Sequence, residues 1–152
     1  MSPATFLVRP VSRPDLDHLT ALEREVFHPE PYPGYFLRQA LDLWPDWFLV
    51  AEISSALAGY TLAAPATIPR RALILSLAVD PALRGRGLAR ELVSALVERL
   101  GSSGVTDVSL TVHPDNRVAK DLYLGFGFET RGNEPDYFGR SEPRLLLGRT
   151  LP

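Results

Sequence analysis

The chain has 152 residues, of which 45% are hydrophobic and 22% are charged, as is usual for a soluble globular protein. Its net charge of −2 gives no overall attraction for nucleic acid or for an acidic membrane surface. The sequence contains no cysteine, which excludes disulfides, thiolate metal ligands and a cysteine nucleophile.

The sequence shows neither a targeting segment nor a membrane span. Met1 to Val8 lacks a basic start followed by a long apolar stretch. No window approaches the roughly 18 apolar residues that a membrane span requires. Since repeats and linkers are also missing, we expect one cytoplasmic domain, residues 1–152, with no membrane and no nucleic acid as partner.

The first half of the chain predicts a strand, two helices and a hairpin. Spacings of three and four residues between apolar positions indicate an amphipathic helix that ends at Phe27, although Glu23 falls on its apolar face. Three prolines make residues 28–34 an irregular loop. In chain order, the predicted elements are a strand Ala4–Arg9, helices Asp15–Phe27 and Tyr35–Leu43, and hairpin strands Trp47–Ile53 and Leu57–Ala64.

The second half predicts strands that alternate with two further helices. Leu73–Val79 is almost continuously apolar, which favours a central strand that is buried on both faces. The other predicted elements are a helix Leu88–Leu100 ended by Gly101 and Gly104, a strand Val108–Val112, a helix capped by Asp115 or Asn116 that runs to Leu124, and strands Phe128–Arg131 and Arg144–Gly148. This order indicates an α/β fold with a mixed sheet covered by helices.

Residues 84–89, Arg-Gly-Arg-Gly-Leu-Ala, lie between the apolar strand and the long helix. Glycines let the backbone approach a bulky anion, and a helix N-terminus directs N–H groups towards it. Arg84 and Arg86 add donors for a phosphate, although a plain surface turn is the alternative. Arg90 breaks the dinucleotide fingerprint, and the single lysine, Lys120, lies too far away for a Walker loop.

Two motifs between Leu73 and Phe128 resemble those of the GNAT superfamily of acyl-CoA-dependent N-acyltransferases, and in particular the ribosomal-protein alanine N-acetyltransferases. The first motif is Arg/Gln-x-x-Gly-x-Gly/Ala, and the second is Asn-x-x-Ala-x-x-x-Tyr followed by Gly-Phe. They stand here as Arg84, Gly87 and Ala89, and as Asn116, Ala119, Tyr123 and Gly127-Phe128. The resemblance implies the GNAT fold, a mixed and mostly antiparallel sheet of about seven strands with about four helices.

The resemblance also implies how the donor, acetyl-CoA, is held. The backbone of the loop would bind the CoA pyrophosphate, the preceding strand would pair with the pantetheine arm, and no metal is implied. Asn116 would place the pantetheine or the product, or it would serve only as a helix cap. The residues implied for the donor are Leu77, Val79, Arg84, Gly85, Arg86, Gly87, Leu88, Ala89, Asn116 and Tyr123.

The family tyrosine protonates the departing CoA thiolate, and Tyr123 matches it, although its helical spacing also suits a core residue. A phenol with a pKa of about 10 stays protonated at neutral pH, as a general acid must. The base is less clear, because Thr111 stands where the ribosomal-protein enzymes have a glutamate. His113 is the candidate in its place, because imidazole is the side chain that most readily exchanges a proton near neutral pH, and water is the alternative.

The amine acceptor is expected beside the proline-rich loop that joins the first two helices. Its aromatic residues Tyr32 and Tyr35 offer flat apolar contacts, and Glu30 offers a negative charge for a cationic amine. Asp136 is expected on the opposite wall. The alternative for each is an ordinary solvated surface residue.

The resulting hypothesis is an N-acetyltransferase that moves an acetyl group from acetyl-CoA directly to a primary amine of a small molecule, peptide or protein. Because cysteine is absent, no acyl-cysteine intermediate forms. The chain is expected to act as a monomer or a homodimer. The alternative function is a non-catalytic acyl-CoA-binding or sensor domain.

Overall fold

A computed structural model describes residues 6–152 of the chain. Within that range the fold contains seven strands and four α-helices. The strands are β1 (Phe6–Pro10), β2 (Phe48–Ile53), β3 (Ala56–Pro65), β4 (Arg71–Val79), β5 (Asp107–Val112), β6 (Glu129–Glu134) and β7 (Arg144–Thr150). The helices are α1 (Leu16–Phe27), α2 (Gly34–Leu43), α3 (Leu88–Ser102) and α4 (Arg117–Gly125).

The strands of residues 6–152 form one sheet in the order β1-β2-β3-β4-β5-β7-β6. β4 and β5 run parallel, whereas the pairs β1/β2, β2/β3, β5/β7 and β6/β7 are antiparallel. The predicted mixed, mostly antiparallel sheet with about four helices is therefore confirmed. The last strand in sequence lies between β5 and β6, so the sheet order does not follow the chain order.

The predicted elements agree with the structure to within a few residues. The first strand was expected from Ala4, and residues 4 and 5 lie outside the described part of the chain. The third helix was expected to end at Leu100, before Gly101, but continues to Ser102, because a single glycine costs a helix only about 1 kcal/mol. Gly104, with φ of +89°, ends the segment in a conformation that favours glycine.

The expectation that β4 is buried on both faces is wrong. Its residues alternate between buried and half-buried positions from Ala72 onward, so only one face is fully covered. The buried face includes a polar residue, Ser76, whose backbone carbonyl accepts the Thr61 hydroxyl at 2.9 Å. A continuous apolar run in the sequence therefore does not distinguish full from one-sided burial.

The described residues divide into two compact units. The first comprises the chain through Ala64 together with residues 75–100. The second comprises residues 65–74 and 101–152. That residues 1–152 form a single domain stays a prediction.

In the first unit, consecutive residues of β3 face different helices. Tyr60 is buried with Leu19 of α1 and Leu37 of α2. Gly59 points the other way, because a Cβ there would lie 3.2 Å from Leu92 of α3. The same Cβ would lie 2.7 Å from the carbonyl oxygen of Ala78, so only glycine permits this close approach of the backbones.

In the second unit, β5, α4 and β7 each contribute buried apolar side chains, among them Val108, Tyr123 and Leu147. Arg131 of β6 forms a bidentate ion pair with Asp107 of β5, with both N···O distances at 2.8 Å. Its guanidinium crosses β7 directly over Gly148, where a Cβ would overlap it. Because Gly148 has no side chain, the Arg131 guanidinium can cross β7 and reach Asp107 on β5.

The N-terminus of α1 is fixed by Asp15, which yields a stability prediction. The carboxylate accepts two bonds from Arg9, at 2.7 and 2.9 Å, and two more from the backbone and hydroxyl of Ser12. Hydrogen bonding to Arg9, with a further contribution from Ser12, lowers the pKa of Asp15 to about 2. Asp15→Asn is expected to lower the free energy of unfolding by about 2 kcal/mol at pH 7.

Because the pKa is lower in the folded state, this stabilisation is present above the ordinary pKa of aspartate and is lost as the pH falls towards 2. Denaturant unfolding at several pH values should therefore show the difference between the two proteins shrinking below about pH 4. Asp42→Asn is the control, since Asp42 is exposed and its recorded ion pair within residues 6–152 is the i,i+4 pair with Arg38. A constant difference from pH 7 to pH 2 would contradict the prediction.

Candidate active site

The predicted phosphate loop lies in the first unit, between β4 and α3. Gly85 and Gly87 have φ values of +80° and +83°, and apart from each glycine and its two chain neighbours, no atom of residues 6–152 lies within 4 Å of where a Cβ would be. Arg84 and Arg86 are exposed, and Leu88 begins α3. The first N–H groups of a helix have no partner within it, so this turn presents donors beside an open space.

The strand before the loop supplies the other predicted donor contacts. Leu77 and Val79 of β4 alternate with buried neighbours and are themselves half-buried. Asp80 ends the strand, and its carboxylate caps the following turn by accepting the Ala82 N–H at 2.9 Å. Local hydrogen bonds therefore order the turn Pro81–Leu83, which connects the strand end to the glycine turn.

The predicted acceptor residues of the first unit lie in the loop between α1 and α2, except Tyr35, which is the second residue of α2. Tyr32 is half-buried and stacks on Phe36 with 4.6 Å between the ring centroids. Its hydroxyl donates to the carbonyl oxygen of Leu75 in β4 at 3.3 Å. Tyr35 is 75% exposed and Glu30 is exposed, so the loop combines one anchored aromatic ring with solvent-facing groups.

Glu23 of α1 is a buried carboxylate that the sequence analysis did not assign to the site. Its side chain is 1% exposed and accepts hydrogen bonds from the Tyr60 hydroxyl and, at 2.7 Å, from the Tyr32 N–H. Ser76 Oγ lies 3.0 Å from the Tyr60 hydroxyl and 3.4 Å from the carboxylate. The signal in the sequence was the acidic residue on the apolar face of a helix.

Burial is the main cause of a raised pKa for the Glu23 carboxyl, which its hydrogen bonds only partly offset. The pKa of Tyr60 is raised too, first by burial and then by the neighbouring carboxylate. Burial disfavours the charged form of both groups, and the negative charge of Glu23 adds to this effect for Tyr60.

Two of the predicted residues of the second unit belong to α4 or to its N-terminal cap. Asn116 caps this helix, because its Oδ1 accepts the Ala119 N–H at 3.1 Å. Tyr123 is 4% exposed and packs edge-to-face on Phe128 with 5.4 Å between the centroids. Burial raises the pKa of the Tyr123 phenol, so this group stays protonated well above neutral pH.

The other two candidates of this unit have local hydrogen-bond roles. His113 is half-exposed, and its Nδ1 accepts the Asp115 N–H at 3.1 Å. A ring in this arrangement carries its neutral-state proton on Nε2. Asp136 is exposed and accepts the Ser141 N–H at 2.8 Å, which shapes the loop between β6 and β7.

Among residues 6–152, no group of three or more histidine, aspartate or glutamate side chains is arranged to hold a metal ion.

The sequence profile described as the acetyltransferase (GNAT) family matches residues 14–128, which is most of the chain. This range contains the predicted phosphate loop, α4 and Tyr123.

The chain belongs to the acetyltransferase (GNAT) family.

Individual GNAT proteins match over nearly the whole chain. An uncharacterized N-acetyltransferase of Methanocaldococcus jannaschii is 29% identical over 97% of this chain and 93% of its own length. A putative ribosomal protein bS18-alanine N-acetyltransferase of Bacillus subtilis is 28% identical over 95% of both chains. Other curated relatives are longer proteins, and the chain spans 38% and 39% of two of them.

The fold of this GNAT protein matches that of solved structures. The crystal structure of Ard1 from Thermoplasma volcanium has a TM-score of 0.88 at 23% identity, with 97% of this chain and 98% of that chain covered. The resemblance inferred from the two sequence motifs is therefore confirmed for both family and fold.

This GNAT protein is thus an N-acetyltransferase, which transfers an acetyl group from acetyl-CoA to an amine acceptor. The comparisons give no support to the alternative of a non-catalytic sensor. No helix within residues 6–152 has both the length and the apolar character needed to cross a membrane. The cytoplasmic location and the roles of the individual site residues stay predictions.

Proposed function

We propose that this N-acetyltransferase acetylates the α-amine at the N-terminus of a peptide or protein. The full-length match to a relative named as a ribosomal-protein alanine N-acetyltransferase supports this acceptor. The chemistry agrees, because an α-amine with a pKa of about 8 is partly neutral at pH 7, whereas a lysine at about 10.4 needs a stronger base. An α-amine therefore requires less help from the protein.

The observation that carries the donor part of the proposal is the glycine turn before α3. A Cβ at position 85 or 87 would project into open space, which suits a ligand whose phosphates approach the backbone closely. Arg84 and Arg86 supply charge for the anionic pyrophosphate, and the N–H groups of Leu88 and Ala89 begin the helix that faces it. Leu77 and Val79 pair with the pantetheine arm.

In the proposed reaction, acetyl-CoA supplies an activated acetyl group as a thioester. The neutral amine attacks the carbonyl carbon, a C–N bond forms, the C–S bond breaks, and the ammonium nitrogen loses a proton. Tyr123 donates its phenolic proton to the departing sulfur, and its raised pKa means that the group is protonated at neutral pH. The resulting phenolate regains a proton from solvent before the next turnover. The family motif, residue by residue, supports this role.

The proton from the amine passes to His113 or to water. His113 would first have to release the Asp115 N–H from Nδ1, or rotate, to present a lone pair. Asn116 caps α4 through Oδ1, so its Nδ2 group is the part proposed to contact the pantetheine or the product. For the acceptor, Tyr32 and Tyr35 supply apolar contacts while Glu30 and Asp136 attract the cationic amine.

A peptide assay tests the proposed acceptor. Peptides with a free N-terminal alanine are expected to gain one acetyl group, detected by mass spectrometry. At pH 8 the rate of acetylation should follow the fraction of the α-amine that is neutral. The matched control peptide has a blocked N-terminus and one internal lysine. Acetylation of the lysine peptide alone, or of small amines alone, would overturn the α-amine assignment.

The donor is tested separately by thermal unfolding with saturating acetyl-CoA. Binding to the folded state raises the melting temperature with ligand concentration. A melting temperature that does not respond would contradict the proposed donor site, whatever the peptide assay shows. The same samples, measured by sedimentation, decide between the predicted monomer and homodimer.

A further inference from the structure

Glu23 occupies a position where stability alone does not favour a carboxylate. It is 1% exposed on the buried face of α1, and its hydrogen-bond partners in the described part of the chain are the neutral groups of Tyr60, Tyr32 and Ser76. Burying a charge without a cation carries a desolvation cost that an apolar side chain of similar size would not. The carboxylate therefore needs another explanation.

The two oxygens of Glu23 bind different parts of the first unit. Oε1 accepts from the hydroxyl of Tyr60 in β3, which lies beside Ser76 of β4. Oε2 accepts the backbone N–H of Tyr32, in the loop between α1 and α2. One side chain thus fixes the proposed acceptor loop to the strands.

Tyr32 receives two further restraints from its own side chain. Its hydroxyl donates to the carbonyl oxygen of Leu75, and its ring stacks on Phe36. Leu75 and Ser76 directly precede Leu77–Val79, the segment proposed to pair with the donor. The network therefore joins the acceptor loop to β4 at Leu75 and Ser76, which lie two residues and one residue before the segment proposed to pair with the donor.

We infer that Glu23 is a positioning residue for the acceptor. One of its carboxylate oxygens accepts the Tyr32 N–H and the other accepts the Tyr60 hydroxyl. Through these two hydrogen bonds, Glu23 sets the position of the acceptor loop relative to the donor strand β4. This inference rests on the proposed function, since Tyr32 and its loop are proposed to contact the amine. Because Glu23 is 1% exposed, we assign it no direct contact with either substrate. Its loss should change acceptor binding and leave donor binding intact.

The test compares Glu23→Ala, Glu23→Gln and wild type in steady-state kinetics. Glu23→Ala is expected to raise the KM for the acceptor peptide about tenfold, because a displaced loop misplaces the amine. The Kd of acetyl-CoA, measured by calorimetry, should stay within about twofold. Glu23→Gln should restore most of the lost affinity, because the amide oxygen still accepts the Tyr32 N–H.

Two measurements do not depend on activity. Amide hydrogen exchange at Tyr32 should be slow in wild type and in Glu23→Gln, and clearly faster in Glu23→Ala. The melting temperature of Glu23→Gln should exceed that of wild type at neutral pH and approach it at low pH. Because the pKa of Glu23 is raised in the folded state, ionisation of Glu23 lowers the free energy of unfolding as the pH rises through the folded-state pKa. The groups that face the carboxylate are Tyr60, Tyr32 and Ser76.

Asp15→Asn is the matched control, because it removes a buried carboxylate network at the other end of α1 without touching Tyr32. It should lower the melting temperature but leave the acceptor KM and the exchange at Tyr32 unchanged. Should Glu23→Ala not fold, Glu23→Asp takes its place, since the shorter side chain withdraws the carboxylate from the Tyr32 N–H.

An unchanged acceptor KM and unchanged exchange at Tyr32 in a folded Glu23 variant would overturn the inference. So would an equal rise of the acceptor KM in Asp15→Asn. A wild-type protein that acetylates no peptide refutes the proposed function instead, and the exchange measurement separates the two failures.

Discussion

Gly87→Ala is expected to weaken acetyl-CoA binding by about tenfold to a hundredfold, the equivalent of one lost charge-assisted hydrogen bond. Gly87 has a φ of +83°, which costs an L-residue about 1–2 kcal/mol. An alanine relieves this strain by rotating the peptide, which turns the following N–H away from the phosphate. The new Cβ also projects into the space proposed for the ligand.

The chain offers a matched control for backbone strain. Gly104 has a φ of +89°, and its Cβ would meet no described residue within 4 Å other than its own chain neighbours, as at Gly87. It follows α3 in a turn for which no donor contact is proposed. Gly104→Ala should therefore lower the melting temperature as much as Gly87→Ala does, without changing the affinity for acetyl-CoA.

Calorimetry with acetyl-CoA gives the two affinities, and thermal unfolding without ligand gives the two stabilities. Equal and unchanged affinities in both variants would show that the glycine turn is not the phosphate site. A loss of affinity in both would attribute the effect to strain. Only a loss confined to Gly87→Ala supports the proposed donor contact.

The local elements were predictable because their signals are local. α1 was expected from Asp15 to Phe27 and spans Leu16–Phe27, since the apolar spacing and the flanking prolines lie within the segment itself. The glycine turn before α3 was equally evident, because two glycines between a strand and a helix need no distant partner. The family motifs occupy these same local segments.

Long-range pairing was not predictable in the same way. Nothing in the periodicity of β7 indicates that this strand lies between β5 and β6, because strand order depends on contacts between distant segments. The partners of Glu23 illustrate the same limit, since Tyr60 and Ser76 lie 37 and 53 residues further along the chain. The acidic residue on an apolar helix face was visible, but its partners were not.

Tyr123→Phe should reduce kcat by about a hundredfold, at the lower end of what a general acid contributes. The variant keeps the ring that packs on Phe128, so the melting temperature and the Kd of acetyl-CoA should change little. Because burial raises the pKa of the phenol, wild-type kcat should show no decline through loss of this acid up to about pH 10, the ordinary pKa of tyrosine.

A change of leaving group distinguishes proton donation from packing. A selenoester analogue of acetyl-CoA releases a selenolate, which is a weaker base than a thiolate and leaves without needing a proton. If Tyr123 acts as the acid, Tyr123→Phe should be much less impaired with this donor than with acetyl-CoA, when single-turnover rates are compared. If the phenol only fills the core, Tyr123→Phe should react with both donors at the same fraction of the corresponding wild-type rate. An unchanged kcat with acetyl-CoA would remove Tyr123 from the chemistry and assign the departure of the thiolate to water.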